Sequence, residues 1–364
     1  MDGSDGVVHA PQAAVEAWLT EIFAGAGCPP DEARQVAENL VLADLSGHPS
    51  HGIVRTARYV EWVEQGRMIP AAKVETLSRS GALLLMDAHY SFGQVAGAKA
   101  VDAAAEVAEA EGVCLLGLRR SGHLGRIGAW AERLCARGLW SIHWVSVPGS
   151  RLVAPFGATE RRLGTNPICV GVPQAGGDFV LDFATSRVAE GKVLVALKSG
   201  KALPSDAMVD PDGSDSDRPA TLYGETESRA APDPRAGPGA LQPMGDHKGS
   251  GLALACELLA GALIGSGTNA DPNARFCNGM LSIVLDPKRF GDPEGIAAEA
   301  AAFLEAVRSA APRDAAKPVL TPGEPERAGR VAAARDGVPL SAGLRASLAE
   351  ASAKTGVAPP DGMG

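Results

Sequence analysis

The segment Asp44-Leu45-Ser46-Gly47-His48-Pro49-Ser50-His51-Gly52-Ile53-Val54-Arg55 gathers hydroxyl, imidazole and guanidinium groups in one short stretch. Imidazole titrates closest to neutrality among side chains, so His51 can give a proton to a developing alkoxide and take it back in the reverse direction. Ser50 can orient that ring. If a helix begins at Gly52, Arg55 shares its face with His51 and presents a planar fork suited to bidentate capture of a carboxylate. The chemistry this points to is proton transfer beside a carboxylate. The same residues also suit a plainer arrangement, with His48 and His51 lining a helix start and Arg55 in a surface ion pair, and the segment alone leaves both open.

The elements that must position these groups follow from periodicity. Apolar residues at helical spacing predict helices over 10–26, 30–45 and 53–65, the second opened by Pro30-Asp31-Glu32, so the chain begins with a helical region. Beyond Pro70 the pattern alternates: strand at 82–87, Ala-rich helix at 93–111, strand at 113–118, helix at 124–137, extended chain at 140–147. Apolar runs at 168–172 and 179–181 precede a helix predicted over 186–198; a further helix is expected at 249–264 and a strand at 280–285. Such alternation predicts α/β layering. Between Gly200 and Pro243 the composition turns to Pro, Asp, Gly and Ser, including Asp206, Asp210, Asp212, Asp215 and Asp217, which predicts a long solvated surface loop and not a calcium loop, because the regular spacing of one is missing. From Thr321 a Pro-Gly-Glu turn leads into two helical stretches. The organisation expected is a helical region carrying the histidine over 1–75, an α/β core over 76–318 and a helical segment over 319–364 that completes the core.

Composition narrows the partners. With 364 residues, 45% of them hydrophobic, the chain has ample material for a buried core, and a net charge of −9 with no Lys/Arg block argues against nucleic acid or an anionic membrane as partner. No apolar run is long enough to span a bilayer, and the acidic start Met1-Asp2-Gly3-Ser4-Asp5 lacks the form of a signal peptide, so a cytoplasmic location is expected. The six cysteines are dispersed and form no CxxC pair, which predicts reduced, buried thiols and no zinc site.

The dinucleotide fingerprint GxGxxG is absent, as are Walker A, HExxH and Gly-x-Ser-x-Gly sequences. Three other turns can present amides or hydroxyls to a phosphate: Gly122-His123-Leu124-Gly125-Arg126-Ile127-Gly128, Leu163-Gly164-Thr165-Asn166-Pro167, and Asp182-Phe183-Ala184-Thr185-Ser186, whose last residue can cap the next helix. Each alone is equally well a plain turn. His48 and His51 with His123 or His247 lack carboxylates at metal-ligand spacing, so no metal is expected.

Taken in order, Ser50 to Arg55, Gly122 to Gly128, Phe156 to Pro167, Leu181 to Lys192, His247-Lys248-Gly249, Asn278-Gly279 and Pro322-Gly323-Glu324 resemble the malate/L-lactate dehydrogenase-type oxidoreductases over nearly the whole chain, most of all the hydroxycarboxylate dehydrogenase branch. The resemblance implies an α/β fold with a mixed sheet and a helical N-terminal region, binding NAD(P) without a Rossmann domain, and interconversion of a 2-oxo acid and a 2-hydroxy acid. It implies His51 as acid and base, Ser50 as its relay, Arg55 as carboxylate clamp, and Thr165 and His123 at the substrate, with His123 an alternative base. It places the cofactor against Gly125, Arg126, Ile127, Asp182, Phe183, Ala184, Thr185, Ser186, His247, Asn278, Gly323, Glu324, Pro325 and Glu326. Acidic Glu324 and Glu326 favour NAD over NADP, whereas Arg126 or Arg327 would attract a 2′-phosphate. Relatives that reduce cyclic imines carry an Asp relay where Lys192 stands, which disfavours that activity; ureidoglycolate-type oxidation and a silent binding homologue are the remaining alternatives. The family further implies a homodimer.

Overall fold

Helical spacing of apolar residues explains the first layer. In the computed structural model, which describes residues 7–199, 202–225 and 235–363, a short strand β1 (Val8–Ala10) leads into α1 (Gln12–Gly25), which buries Val15, Trp18, Leu19, Ile22 and Phe23. Pro30 at the first position and Asp31 and Glu32 in the first turn start α2 (Pro30–Leu45), in line with the helix dipole. Helix α3 (Thr56–Glu64) adds Tyr59, Val60 and Trp62 to the same core. Each such side chain removed from water contributes about 1.5–3 kcal/mol. The acidic start Met1 to Asp5 lies outside the described residues.

The second layer is a sheet. Strands β2 (Glu75–Ser80) and β3 (Leu83–Asp87) form a hairpin, α4 (Gly93–Glu111) crosses over to β4 (Val113–Ser121), and α5 (Gly128–Cys135) leads to β5 (Trp140–Ser146), β6 (Ile168–Val172) and β7 (Phe179–Phe183). After α6 (Glu190–Ser199) come β8 (Met208–Val209), β9 (Asp215–Ser216), α7 (Ala220–Tyr223), β10 (Ala240–Leu241) and α8 (His247–Cys256), which continues as a π-helical turn over Glu257–Leu263. Strand β11 (Asn278–Leu285), α9 (Pro293–Arg308), α10 (Glu324–Asp336), β12 (Val338–Leu340) and α11 (Ala342–Thr355) close the chain. The seven-stranded sheet runs β2-β3-β4-β11-β5-β6-β7, and only β3 and β4, joined through α4, are parallel. The α/β architecture with a mixed sheet is therefore as expected. Helix α4 and helix α5, the latter through Trp130, cover one face over Leu116, Leu118 and Met280, while Ala260 and Ile264 meet Leu281 on the other. Strand β1 pairs with β12 and Trp18 Nε1 donates to Ser352 Oγ at 2.8 Å, so the C-terminal helices join the N-terminal layer. No helix among the described residues is long and apolar enough to cross a membrane.

Several expectations are corrected. No helix begins at Gly52; two 3-10 turns, Pro49–His51 and Ile53–Arg55, precede α3, with the Asp44 carboxylate accepting from the Ile53 amide at 2.5 Å between them. Helix α5 starts at Gly128, not 124, because Gly125 takes a left-handed φ of +70° that no α-helix contains, in a loop held by the Leu124 amide donating to Asn278 Oδ1 at 2.8 Å and the Gly128 amide to Asp182 Oδ2 at 2.7 Å. Ser186 does not cap a helix: its hydroxyl donates to the Val188 carbonyl at 2.8 Å, and α6 opens at Glu190. The polar stretch at 200–243, where described, carries the sheet β10-β8-β9, with Met208, Leu222, Tyr223 and Leu241 buried against Leu152, Val153 and Val193; residues 200, 201 and 226–234 lie outside the described set. Strand β2 and helix α9 carried no sequence expectation, since β2 is a largely exposed polar edge and α9 buries no residue fully.

Inside the sheet, His143 is fully buried, its Nδ1 paired with Ser282 Oγ at 2.7 Å and its Nε2 with Ser141 Oγ at 3.0 Å. Burial pushes its pKa down to about 4. A histidine held neutral by the fold stabilises it fully above the unfolded value near 6.5 and loses that contribution as pH falls toward 4, a contribution of roughly 3 kcal/mol. Urea unfolding midpoints should therefore drop between pH 6.5 and 4 in the wild type and drop less in His143→Gln; parallel pH curves would contradict this.

Candidate functional site

Ser50 and His51 sit on the first 3-10 turn, with Ser50 Oγ and His51 Nδ1 2.9 Å apart. That hydrogen bond fixes the ring and leaves Nε2 without a hydrogen-bond partner among the described residues. Burial, then the charges of Arg55 and His48, push the His51 pKa down to about 3, with Glu190 opposing, so the ring is neutral at physiological pH. Arg55 Nε donates to the Ser50 carbonyl at 2.5 Å, and its Nη2 lies 3.4 Å from Glu190 Oε2. The guanidinium thus braces the turn that holds His51.

Glu190, the first residue of α6, was not singled out by sequence. Burial raises its pKa, yet Arg235, Arg55 and the Tyr223 hydroxyl together hold it at about 2. Tyr223 donates to Oε1, and Arg235 Nε reaches the same oxygen at 3.0 Å. Next to it, Gly191 allows a close approach: a Cβ there would stand 2.1 Å from Ser50 Cβ. Only a residue without a side chain lets α6 press against the Ser50-His51 turn.

The loop after β4 brings His123 over His51, rings nearly parallel at 15° with centroids 5.5 Å apart. Burial first, then Arg55 and His51, push the His123 pKa well below its ordinary value. Its Nδ1 lies 2.6 Å from the hydroxyl of Tyr59, a residue sequence reasoning missed although it lies four positions beyond Arg55 on the amphipathic helix.

A second group gathers beside the first. Arg126, 2% exposed, has Nη2 on Glu132 but no partner for Nε or Nη1 among the described residues. Gly125 takes a left-handed conformation, φ +70°, that turns the chain into this position. Glu326 Oε1 pairs with His48 Nε2 at 3.0 Å, which lowers its pKa, while its buried Oε2 has no partner among the described residues. Asp182, raised by burial, accepts from the Gly128 amide. Two unpaired donors on a buried guanidinium are costly unless an oxygen-rich ligand meets them.

Other expected residues lie differently. Ile127 is in the hydrophobic core, so only its backbone is available to a ligand. Asn278 spends its carbonyl on the Leu124 amide and therefore shapes the His123 loop. Glu324 is turned inward, accepting from the Thr321 amide at 2.8 Å and from Arg308 Nη1 at 3.2 Å. Gly323 leads the chain past β7, where the Pro322 carbonyl accepts from the Val180 amide at 3.2 Å; Pro325 is exposed. The Thr165 carbonyl accepts from the Thr185 amide and hydroxyl at 3.0 and 3.1 Å, tying those two turns together. Phe183 and Ala184 are half-buried between them. His247 is exposed at the start of α8, edge-on to Phe156. Among the described residues no group of three or more His, Cys, Asp or Glu is arranged to hold a metal.

The sequence profile described as malate/L-lactate dehydrogenase matches residues 11–349. Hydroxycarboxylate dehydrogenase B of Escherichia coli (strain K12) is 37% identical over 350 residues, 94% of this chain and 93% of that protein. L-lactate dehydrogenase of Cupriavidus necator is 34% identical over 319 residues, 86% of this chain and 88% of that protein. The solved sulfolactate dehydrogenase of Methanocaldococcus jannaschii shares the fold with a TM-score of 0.84 at 29% identity, over 97% of this chain and 99% of that one.

The contact of Gly191 with Ser50 generates a prediction. Gly191→Ala should displace the Ser50-His51 turn and lower turnover about a hundredfold while the protein still folds, read by steady-state kinetics beside a thermal unfolding curve; near-wild-type turnover would show that the turn yields.

Proposed function

The chain belongs to the malate/L-lactate dehydrogenase family, and from that premise we propose that it interconverts a 2-oxo acid and a 2-hydroxy acid with a nicotinamide dinucleotide. The observation that carries this reading is a neutral His51, oriented by Ser50, beside the guanidinium of Arg55 and next to a buried Arg126 with two unpaired donors.

In the oxidation direction His51 Nε2 takes the proton of the substrate hydroxyl as charge develops on its oxygen; in reduction the protonated ring returns it. Arg55 holds the carboxylate and so fixes where C2 lies. The guanidinium of Arg55, held at the edge of Glu190, is the cation nearest to His51 that a substrate carboxylate would meet. Bringing that carboxylate to Arg55 also removes a charge that holds the His51 pKa down, so substrate binding and His51 protonation are coupled.

The dinucleotide, when bound, supplies the hydride donor or acceptor. Residues present fit it without a Rossmann fingerprint: Arg126 Nε and Nη1 suit phosphate or ribose oxygens, and the unpaired Glu326 Oε2 suits a ribose hydroxyl. A carboxylate in that position repels a 2′-phosphate, which supports NAD over NADP. Asp182 to Ser186, Gly125, Ile127 through its backbone, and the Gly323 turn would frame the same site, with Thr165 and His123 toward the substrate. Asn278 would act through the loop it holds.

The enzyme works, in this reading, as a homodimer in the cytoplasm. Leu254, Leu258 and Leu263, 48%, 63% and 66% exposed along α8 and its π-helical turn, form a face that a second copy would cover, and six buried, unpaired cysteines suit a reducing compartment. Lys192 is exposed on α6, so it offers no buried relay for imine reduction.

The test is oxidation of NADH and NADPH against pyruvate, oxaloacetate, 2-oxoglutarate, phenylpyruvate, hydroxyphenylpyruvate and a cyclic imino acid; silence with every oxo acid would overturn the reading. Against the best substrate, His51→Ala should lower kcat roughly a hundredfold or more with dinucleotide binding retained, and wild-type turnover would remove His51 from its role. Arg55→Lys keeps the charge but loses the fork, so KM for the oxo acid should rise about tenfold or more; an unchanged KM would take the clamp away from Arg55.

A further inference from the structure

Tyr59 is fully buried, wedged between the rings of Phe23, Trp62 and Phe92 at centroid distances of 6.4, 5.8 and 6.0 Å. Its hydroxyl meets two groups, His123 Nδ1 at 2.6 Å and Gln94 Nε2 at 3.1 Å. An amide nitrogen only donates, so Gln94 fills the acceptor side of the hydroxyl. The single phenolic proton then has one acceptor left, His123 Nδ1. Gln94 has its NH2 on this side, with its own Oε1 buried and without a partner among the described residues; Asn39 Oδ1, likewise without one, and Gln94 Nε2 each lie 3.3 Å from where a Cβ on Gly125 would stand.

We propose that Tyr59 is a positioning residue that locks His123 in the Nε2–H tautomer, making His123 a fixed hydrogen-bond donor to the substrate and leaving His51 as the group that carries the reaction's proton. This rests on the oxo-acid reductase reading for the word substrate, but the tautomer itself does not. Neutral His123 has one ring proton; with Nδ1 accepting from Tyr59, that proton is on Nε2, which makes no hydrogen bond among the described residues. The groups facing the ring, Arg55, His51 and Tyr59 with Glu190 opposing the first, keep it neutral together with burial. Tyr59 stays protonated because burial, opposed by Arg55 and Gln94, raises its pKa to about 12. Two nearly parallel imidazoles whose centroids are 5.5 Å apart do not readily share two positive charges, so a donor that never titrates lets His51 alone change state.

The experiment is a two-bond proton–nitrogen correlation on the free full-length protein labelled with 15N-histidine, with His123→Gln identifying the signal of that ring. The expected spectrum shows Nδ1 unprotonated and Nε2 protonated in one fixed form, and Tyr59→Phe replaces it by averaged tautomers. A protonated Nδ1, which follows if Gln94 turns its oxygen to the tyrosine, overturns the proposal, as does a spectrum unmoved in Tyr59→Phe. In turnover both substitutions should lower kcat/KM, but His123→Gln, which carries an amide donor in place of Nε2–H, should stay about tenfold or more above His123→Leu. Equal activity of the two variants overturns the donor role. The spectrum needs no substrate, so a wrong substrate class leaves that arm intact.

Discussion

Burying a carboxylate costs far more than it returns unless cations stay with it, and Glu190 meets that condition with groups from distant parts of the chain. Arg55 comes from the N-terminal layer, Tyr223 and Arg235 from the segment around the small sheet, and Glu190 itself begins α6. Withdrawing any one would leave a buried charge short of a partner. The adjacent Gly191 brings α6 onto Ser50, so the charge balance around Arg55 and the placement of His51 are set by one turn of chain.

That arrangement explains why the histidine is neutral before substrate arrives. Burial and then the nearby Arg55 guanidinium depress its pKa, and Ser50 holds its other nitrogen. A carboxylate arriving at Arg55 reverses part of that depression. In the proposed reaction substrate recognition and proton supply are one electrostatic event, with the stacked His123, tied to Tyr59, proposed to stay outside the titration.

Most of the fold was legible because its elements advertise themselves. Helix α2 with its Pro-Asp-Glu start, the Ala-rich α4 and the apolar β6 lie where periodicity placed them. The start of α5 was misplaced because the left-handed Gly125, in a loop that the distant Asn278 holds at Leu124, breaks the helix, and the apolar pattern carries no trace of either. Edge strand β2 escaped notice because a solvent-facing strand needs no apolar alternation. Of the four residues that folding brings together in the site, Ser50, His51 and Arg55 were singled out by type and spacing and His123 by the family resemblance. Glu190 and Arg235 were not, because a charged residue in a polar stretch reads as solvated until folding buries it. Glu324 was expected as a nucleotide ligand from the resemblance, yet the Thr321 amide and Arg308 claim its carboxylate.

The coupling between carboxylate binding at Arg55 and the charge of His51 is the centre of this account, and calorimetry reads it directly. An unreactive 2-oxo acid analogue would be titrated at pH 7 into the enzyme holding reduced dinucleotide, in buffers of different ionisation enthalpy. Coupling of the two predicts a fractional proton uptake on binding that grows as the titration is repeated at lower pH and that vanishes in His51→Gln; binding with no proton uptake at any of these pH values in the wild type, or with the same uptake in the variant, would contradict it.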